Sequence, residues 1–247
     1  MIKCFYVTGD SFAFGEELGI DNPDVKIAHK YEFTEYHRQN CYSGIIASKL
    51  KIPEYINSAA QGGSNERAYR YLITDIPKLL NTYQPHEIFV NVSLSHIARR
   101  EFYTPSNHTW ALYMASHEPP KSDKMYHMLW SSLTKDFNGD FGYCTFDIMI
   151  ELAIQNFLMV NKIPYLLTSS MGNAFEKELR QRYIDKVVLD QIYPARSYTD
   201  LSFHVFSHAM GCKVGPNHHP LEDGHREWAA HLLDHIHRKT LLDNRDL

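Results

Sequence analysis

"FYVTGDSFAFGEELG", residues 5–19, is the stretch whose reading decides the fold. An apolar, β-rich run at residues 2–7 breaks open at Gly9-Asp10-Ser11, where glycine permits a sharp turn. The pattern of a short buried strand released into a turn repeats along the chain. Further apolar runs occupy residues 55–57, 88–92 and 165–168. Between them, residues 43–50, 65–80 and 145–160 carry helical spacing, and Asn173 with Glu176 forms a capping-box signature for another helix. The closing helix is predicted through "LEDGHREWAAHLLDHIHR", with Leu221, Trp228, Ala229, Leu232, Leu233 and Ile236 on one stripe. Short strands alternating with helices imply an α/β fold: a three-layer α/β/α sandwich with a mostly parallel central sheet, flavodoxin-like, spanning residues 1–247 as one domain.

Residues 100–143 break this rhythm. They are rich in His, Tyr, Trp, Pro and Ser and lack a clean period, so they are predicted to form an insertion, a partly helical lid or wall over the strand ends. Trp110, Tyr113, Tyr126 and Trp130 lie within it and offer aromatic surface to a sugar or an acyl chain, or simply to a core.

Composition narrows the class. With 44% hydrophobic and 22% charged residues the chain has the makings of a globular core. A formal net charge of −4 argues against a general nucleic-acid binder. No apolar stretch reaches the roughly 18–20 residues of a membrane span. The opening "MIKCFYV" has no tripartite leader, so a cytoplasmic location is expected. Cys4, Cys41, Cys144 and Cys212 are widely spaced and read as reduced thiols.

In an open parallel sheet, ligands bind beyond the carboxyl ends of the strands. Four fragments fall there. Ser11 follows the first strand and is a candidate nucleophile, with Asp10 beside it. "NSAAQGGSNER", residues 57–67, follows the second. Its Gly62 amide could bind an oxyanion, and Ser64 stands at a helix N-cap, although Gly-Gly before a helix also serves to ease a turn. "VNVSLSHIARRE", residues 90–101, follows the third and brings Ser93, Ser95 and His96 to the same edge. Alternation puts Val90 and Val92 on one face of the sheet and Asn91 and Ser93 on the other. Arg99 and Arg100 then either bind an anionic substrate group or form a solvated charge cluster. "GPNHHPLEDGHREWAAHLL", residues 215–233, places Pro220 at a first helical position and His219 at the cap, facing Ser11 as a base.

Together these fragments resemble, in order, the four blocks of the SGNH (GDSL-type) hydrolases. "GDS" at 9–11 is similar to the nucleophile block. "NSAAQGGS" at 57–64 resembles the second block and puts the oxyanion glycine at Gly62. "HPLEDGHREWA" at 219–229 resembles the last and points to His219 as the base. The resemblance spans residues 9–229, and the α/β-hydrolase elbow G-x-S-x-G is absent. Two positions depart from it. The third block of the family, Gly-x-Asn-Asp, reads Ser93-Leu94-Ser95-His96 here, so Ser95 stands where the family has its oxyanion asparagine. The family's Asp three residues before the histidine is Pro216, which leaves His219 to be oriented by a backbone carbonyl or by an acid such as Asp200 or Glu222.

The resemblance implies a serine esterase acting on acyl esters, acetylated carbohydrate being one class. Ser11 and His219 would be catalytic, with the Ser11 and Gly62 amides and Ser95 around the oxyanion. No cofactor or metal is implied. Asp10, Ser64, His96, Arg99 and Arg100 are the candidate substrate contacts. An acyltransferase using the same pair, and a non-catalytic binding or structural protein on the same fold, remain the alternatives. A metal site built from His218, His219, His225, His231, His235 and His237 is disfavoured, because "LLD" between His231 and His235 is not the H-E-x-x-H of a zincin. Those on the last helix read as surface histidines.

Overall fold

The structure is a computed structural model that describes residues 1–22, 32–96, 99–104, 109–114, 124, 127, 128, 131, 140–171, 198–239 and 241–242. Strands β1 (Cys4–Gly9), β2 (Glu54–Asn57), β3 (Ile88–Leu94), β6 (Tyr165–Ser169) and β7 (Tyr198–Ser202) form one sheet in the order β2-β1-β3-β6-β7. Every pairing in it is parallel. Strands β4 (Arg99–Thr104) and β5 (Thr109–Met114) form a separate antiparallel pair.

Alternation along the strands sorts the side chains into two cores. Phe5, Val7 and Phe89 face α3 (Tyr42–Lys49) and the closing helix α7 (Glu222–Arg238), whose Trp228 and Leu232 are fully buried. Cys4, Tyr6, Val90 and Val92 face the other way, toward Leu72 and Ile76 of α4 (Asn65–Leu79) and Ile154 and Leu158 of α5 (Asp140–Val160). Helices thus cover both faces, as the sequence implies, and Val90 and Val92 do share a face. A buried Leu or Ile contributes about 1.5–3 kcal/mol, and both faces of the sheet are packed with such residues. Burial also pushes the Cys4 thiol up to about 12, and Cys4, Cys41 and Cys212 are free.

The sheet order reverses about β1: the chain leaves β1 for β2 on one side and returns to β3 on the other. That reversal opens a crevice at the carboxyl ends of β1 and β3. The turn there is tight. A Cβ on Gly9, whose φ is +148°, would lie 2.5 Å from the Ser93 carbonyl oxygen, and one on Gly63 would lie 2.5 Å from the Gly9 carbonyl oxygen. Only glycine lets these three loops close on one another.

The segment from residue 100 opens as the β4–β5 hairpin, in register from Arg99↔Met114 to Thr104↔Thr109, and its described residues 124, 127, 128 and 131 are helical. One expectation is corrected. The cap of α7 is Leu221, not His219. Pro220 pairs with Val214 in an isolated antiparallel bridge, and Leu221 is still extended, so the helix starts only at Glu222. The helix expected at Asn173–Glu176 and most of the insertion lie outside the described residues.

Candidate functional site

Asp10 caps the short helix α1 (Ser11–Phe14), its carboxylate accepting the Phe12 N–H at 3.1 Å. The cap fixes Ser11 at the first helical position, its residue only 1% exposed. Gly15 ends the helix in the left-handed region and the amides of Gly15 and Glu16 both return to the Ser11 carbonyl. This reversal swings Glu16 and Glu17 back over the turn, Glu17 itself at φ 70°.

The last block meets them. Residues 214–220 form a compact loop in which His218 takes a positive φ and the Gly215 N–H donates to the His219 carbonyl. His219 Nε2 lies 2.8 Å from Ser11 Oγ, and Nδ1 lies 3.2 Å from Glu17 Oε2. A carboxylate only accepts, so Nδ1 carries a hydrogen and, in the neutral ring, Nε2 offers its lone pair to the Ser11 hydroxyl. Glu17 also accepts the N–H of Asn217 at 2.9 Å and that of His219 at 3.2 Å. Gly215 makes this approach feasible, since a Cβ there would sit 2.6 Å from Glu17 Oε2. The Phe12 ring packs against the imidazole at 4.9 Å. Glu16 Oε2 stands 3.6 Å from Nε2.

Sequence reasoning missed Glu17. Glu222, named as an orienter, is instead engaged by the Gly19 N–H and the Tyr36 hydroxyl at 2.8 and 2.7 Å. The side chain of Asp200 lies outside the described residues. The overlooked signal was the acidic pair directly after Gly15: a glycine-terminated one-turn helix returns the chain toward its own start.

The other predicted residues divide. Gly62, at φ +68°, sits beside Gly63, which packs against Gly9 and Asp10. Ser64 is the N-cap of α4, accepting the Arg67 N–H, and is as buried as Ser11. Asp10 is wholly buried between the Phe12 N–H, the Ser170 hydroxyl at 2.7 Å and Arg99 Nη1 at 3.2 Å. Arg99 also donates to Ser95 Oγ at 3.1 Å and is therefore not a free anion site. Arg100 pairs with Glu66 at 2.9 Å and lies over the Phe146 ring, away from any role as an unpaired cation. Ser95 donates its N–H to Asn65 Oδ1 at 2.8 Å. His96, half-buried, follows it at the crevice edge.

The closing helix is not simply a row of surface histidines. His225 is fully buried, stacked on Tyr42, with Nδ1 accepting the Tyr42 N–H at 3.0 Å. Burial drives its pKa down to about 3, so it is neutral and part of the core. His235 is buried too, while His218 and His237 are exposed. Among the described residues, no group of three or more His, Cys, Asp or Glu side chains is arranged to hold a metal ion. Nor is any helix among them long and apolar enough to cross a membrane.

The model of a family described as "Family of unknown function (DUF6071)" matches residues 24–247, a stretch that includes Gly62, Ser95 and His219 and begins after Ser11. No curated protein matches the chain. Solved structures of esterases share its fold. A carbohydrate esterase, whose active site is described as displaying divergent catalytic and non-catalytic binding functions, aligns at 14% identity and TM-score 0.53 over 98% of this chain and 67% of its own. The psychrotrophic esterase EstA from Pseudoalteromonas sp., in a structure inhibited by monoethylphosphonate, aligns at 11% and 0.52 over 96% and 97%. The α/β hydrolase LAE5 from the metagenome of Lake Arreo, Spain, gives 12% and 0.50 over 98% and 97%. The layered architecture is therefore the one these hydrolases use.

Proposed function

The chain belongs to the family of unknown function DUF6071, and we propose that it is a serine esterase of SGNH type with a Ser11–His219–Glu17 relay. The observation that carries the reading is the unbroken contact from Ser11 Oγ to His219 Nε2 at 2.8 Å and from Nδ1 to Glu17 at 3.2 Å. A nucleophile, a base and a group that holds the base in one tautomer are what acyl transfer to a serine needs. The fold shared with esterases supports the same class.

Ser11 Oγ attacks the ester carbonyl as His219 Nε2 takes its proton, and Glu17 stabilises the imidazolium so formed. The tetrahedral oxyanion accepts hydrogen bonds from the backbone amides of Ser11 and Gly62, helped by Ser95. When the carbon–oxygen bond to the leaving group breaks, Nε2 returns the proton to the departing alkoxide. Water then attacks the acyl-enzyme, giving its proton to Nε2. Release of the carboxylic acid restores the Ser11 hydroxyl. No cofactor enters these steps. Acyl esters are the substrate class, and acetylated carbohydrate is the member to test first, one fold neighbour being a carbohydrate esterase.

Labelling with a neutral alkyl fluorophosphonate tests the reading. The wild type is expected to take one phosphonyl group, on Ser11, and Ser11→Ala none. Hydrolysis of short acyl esters and acetylated sugars should fall by more than about 10³-fold in Ser11→Ala. A folded wild type that neither labels nor cleaves any of these esters overturns it and favours a binding protein on the same fold.

A further inference from the structure

We propose that Arg99 is a positioning residue that makes the Ser95 hydroxyl an oxyanion donor, replacing the amide of the asparagine that the third block lacks. The inference rests on the esterase reading and concerns the side of the site that this reading leaves weakest, where the family's longer asparagine has become a serine.

The register brings the two serines together. Gly9 stands opposite Ser93 in the β1–β3 ladder, and Ser11 and Ser95 each lie two residues further along, where both chains leave the sheet. Ser95 cannot drift from this place. Its N–H is held by Asn65 Oδ1 at 2.8 Å, and Asn65 is itself anchored to Asp147 Oδ1 at 2.5 Å. Its residue is 5% exposed.

What remains to be fixed is the hydroxyl hydrogen, and Arg99 fixes it by exclusion. A guanidinium has donors only, so at 3.1 Å from Arg99 Nη1 the Ser95 Oγ must be the acceptor. The single Ser95 hydrogen must then point away from the guanidinium. An O–H whose oxygen already accepts from a cation is polarised and donates more strongly. Serine has a shorter arm than asparagine, and this polarisation compensates for it.

The same nitrogen of Arg99 donates to Asp10 Oδ2 at 3.2 Å. Asp10 in turn accepts the Phe12 N–H and the Ser170 hydroxyl. One guanidinium therefore locks the loop that carries the nucleophile to the loop that carries Ser95. Its charge is balanced by that of Asp10, so it acts through Ser95 rather than by binding an anionic substrate group.

An arginine that merely neutralises buried Asp10 would share these distances, and a double-mutant cycle separates the two roles. Removing the cation outright would leave the buried Asp10 carboxylate without its counter-charge and endanger folding. The cycle therefore uses Arg99→Lys, which keeps a positive charge beside Asp10 without the planar fork, with thermal unfolding as a check on folding. The readouts are kcat and KM on an acetyl ester and the rate of Ser11 phosphonylation by the neutral fluorophosphonate.

Ser95→Ala is expected to lower kcat by about 10²-fold with KM little changed. Arg99→Lys should lower kcat about tenfold in the wild-type background and have no further effect in the Ser95→Ala background. Ser95→Asn, which brings an amide of its own, should make kcat insensitive to Arg99→Lys. Equal losses from Arg99→Lys with and without Ser95, no loss in either background, or a harmless Ser95→Ala would overturn the inference while leaving the esterase reading intact. A wild type unreactive at Ser11 would instead overturn both.

Discussion

The turn after β1 and the exit from β3 lie side by side at one edge of the sheet, yet they are held by different means. Around Ser11 the backbone does most of the holding, helped by the Asp10 cap: Gly9, Gly15 and Gly63 permit approaches that a Cβ would forbid, and the amides of Gly15 and Glu16 close on one carbonyl. Around Ser95 the side chains do it, through Asn65 and Arg99, the latter tied across to Asp10 on the opposite bank. A site shaped by backbone tolerates little exchange, whereas one shaped by side chains can swap one donor for another and keep its geometry. That difference fits a "GDS" stretch that resembles the family block closely and a Ser93-Leu94-Ser95-His96 stretch that does not.

Gly9→Ala should break the comparison hardest. The new Cβ would meet the Ser93 carbonyl at 2.5 Å on a φ of +148°, and steric overlap together with backbone strain should destabilise the fold by at least about 3 kcal/mol. Denaturant unfolding measures this. Ser95→Ala, at the opposite bank, should shift the same midpoint by less than about 1.5 kcal/mol. Comparable losses at the two positions would erase the distinction.

A smaller effect concerns the core that underlies both banks. His225 is neutral when folded, its pKa held down to about 3 by burial, and in the unfolded chain it regains an ordinary value near ~6.5. The folded state therefore binds fewer protons, and stability is lost as pH falls from about 6.5 toward 3, at up to about 1.4 kcal/mol per pH unit. Burial lowers His37, His204 and His231 in the same direction. Unfolding midpoints at pH 7 and pH 5 should differ accordingly, and a flat profile through this window would contradict the assignment of His225 as a neutral core residue.

The sequence made legible whatever is encoded locally. Four strands and the helices at Asn65–Leu79 and Glu222–Arg238 follow from apolar runs and periodic stripes, and Ser64 reads correctly as an N-cap. The crevice and the pairing of Ser11 with His219 follow from strand ends and the block resemblance. Two features were not local. Glu17 meets the imidazole across 202 positions of chain, and its own neighbourhood reads only as a charged turn. The β4–β5 hairpin does carry strand-favouring aromatics and threonines, but they are mixed with charged residues in a segment without a clean period, and packing against α4 supports it: Arg70 lies over the Trp110 ring at 4.5 Å and bonds Glu101 at 2.7 Å. The start of α7 was misjudged because Pro220 suits a first helical turn but is held in a bridge to Val214.

The central claim is that Glu17, rather than an acid three residues before His219, completes the relay. Glu17→Gln tests it most directly, because the amide keeps the size of the side chain but loses the charge that stabilises the imidazolium and fixes its tautomer. The account predicts that phosphonylation of Ser11 and ester kcat fall together by about 10²–10⁴-fold with the unfolding midpoint nearly unchanged. A folded Glu17→Gln protein that labels and turns over at the wild-type rate would contradict it.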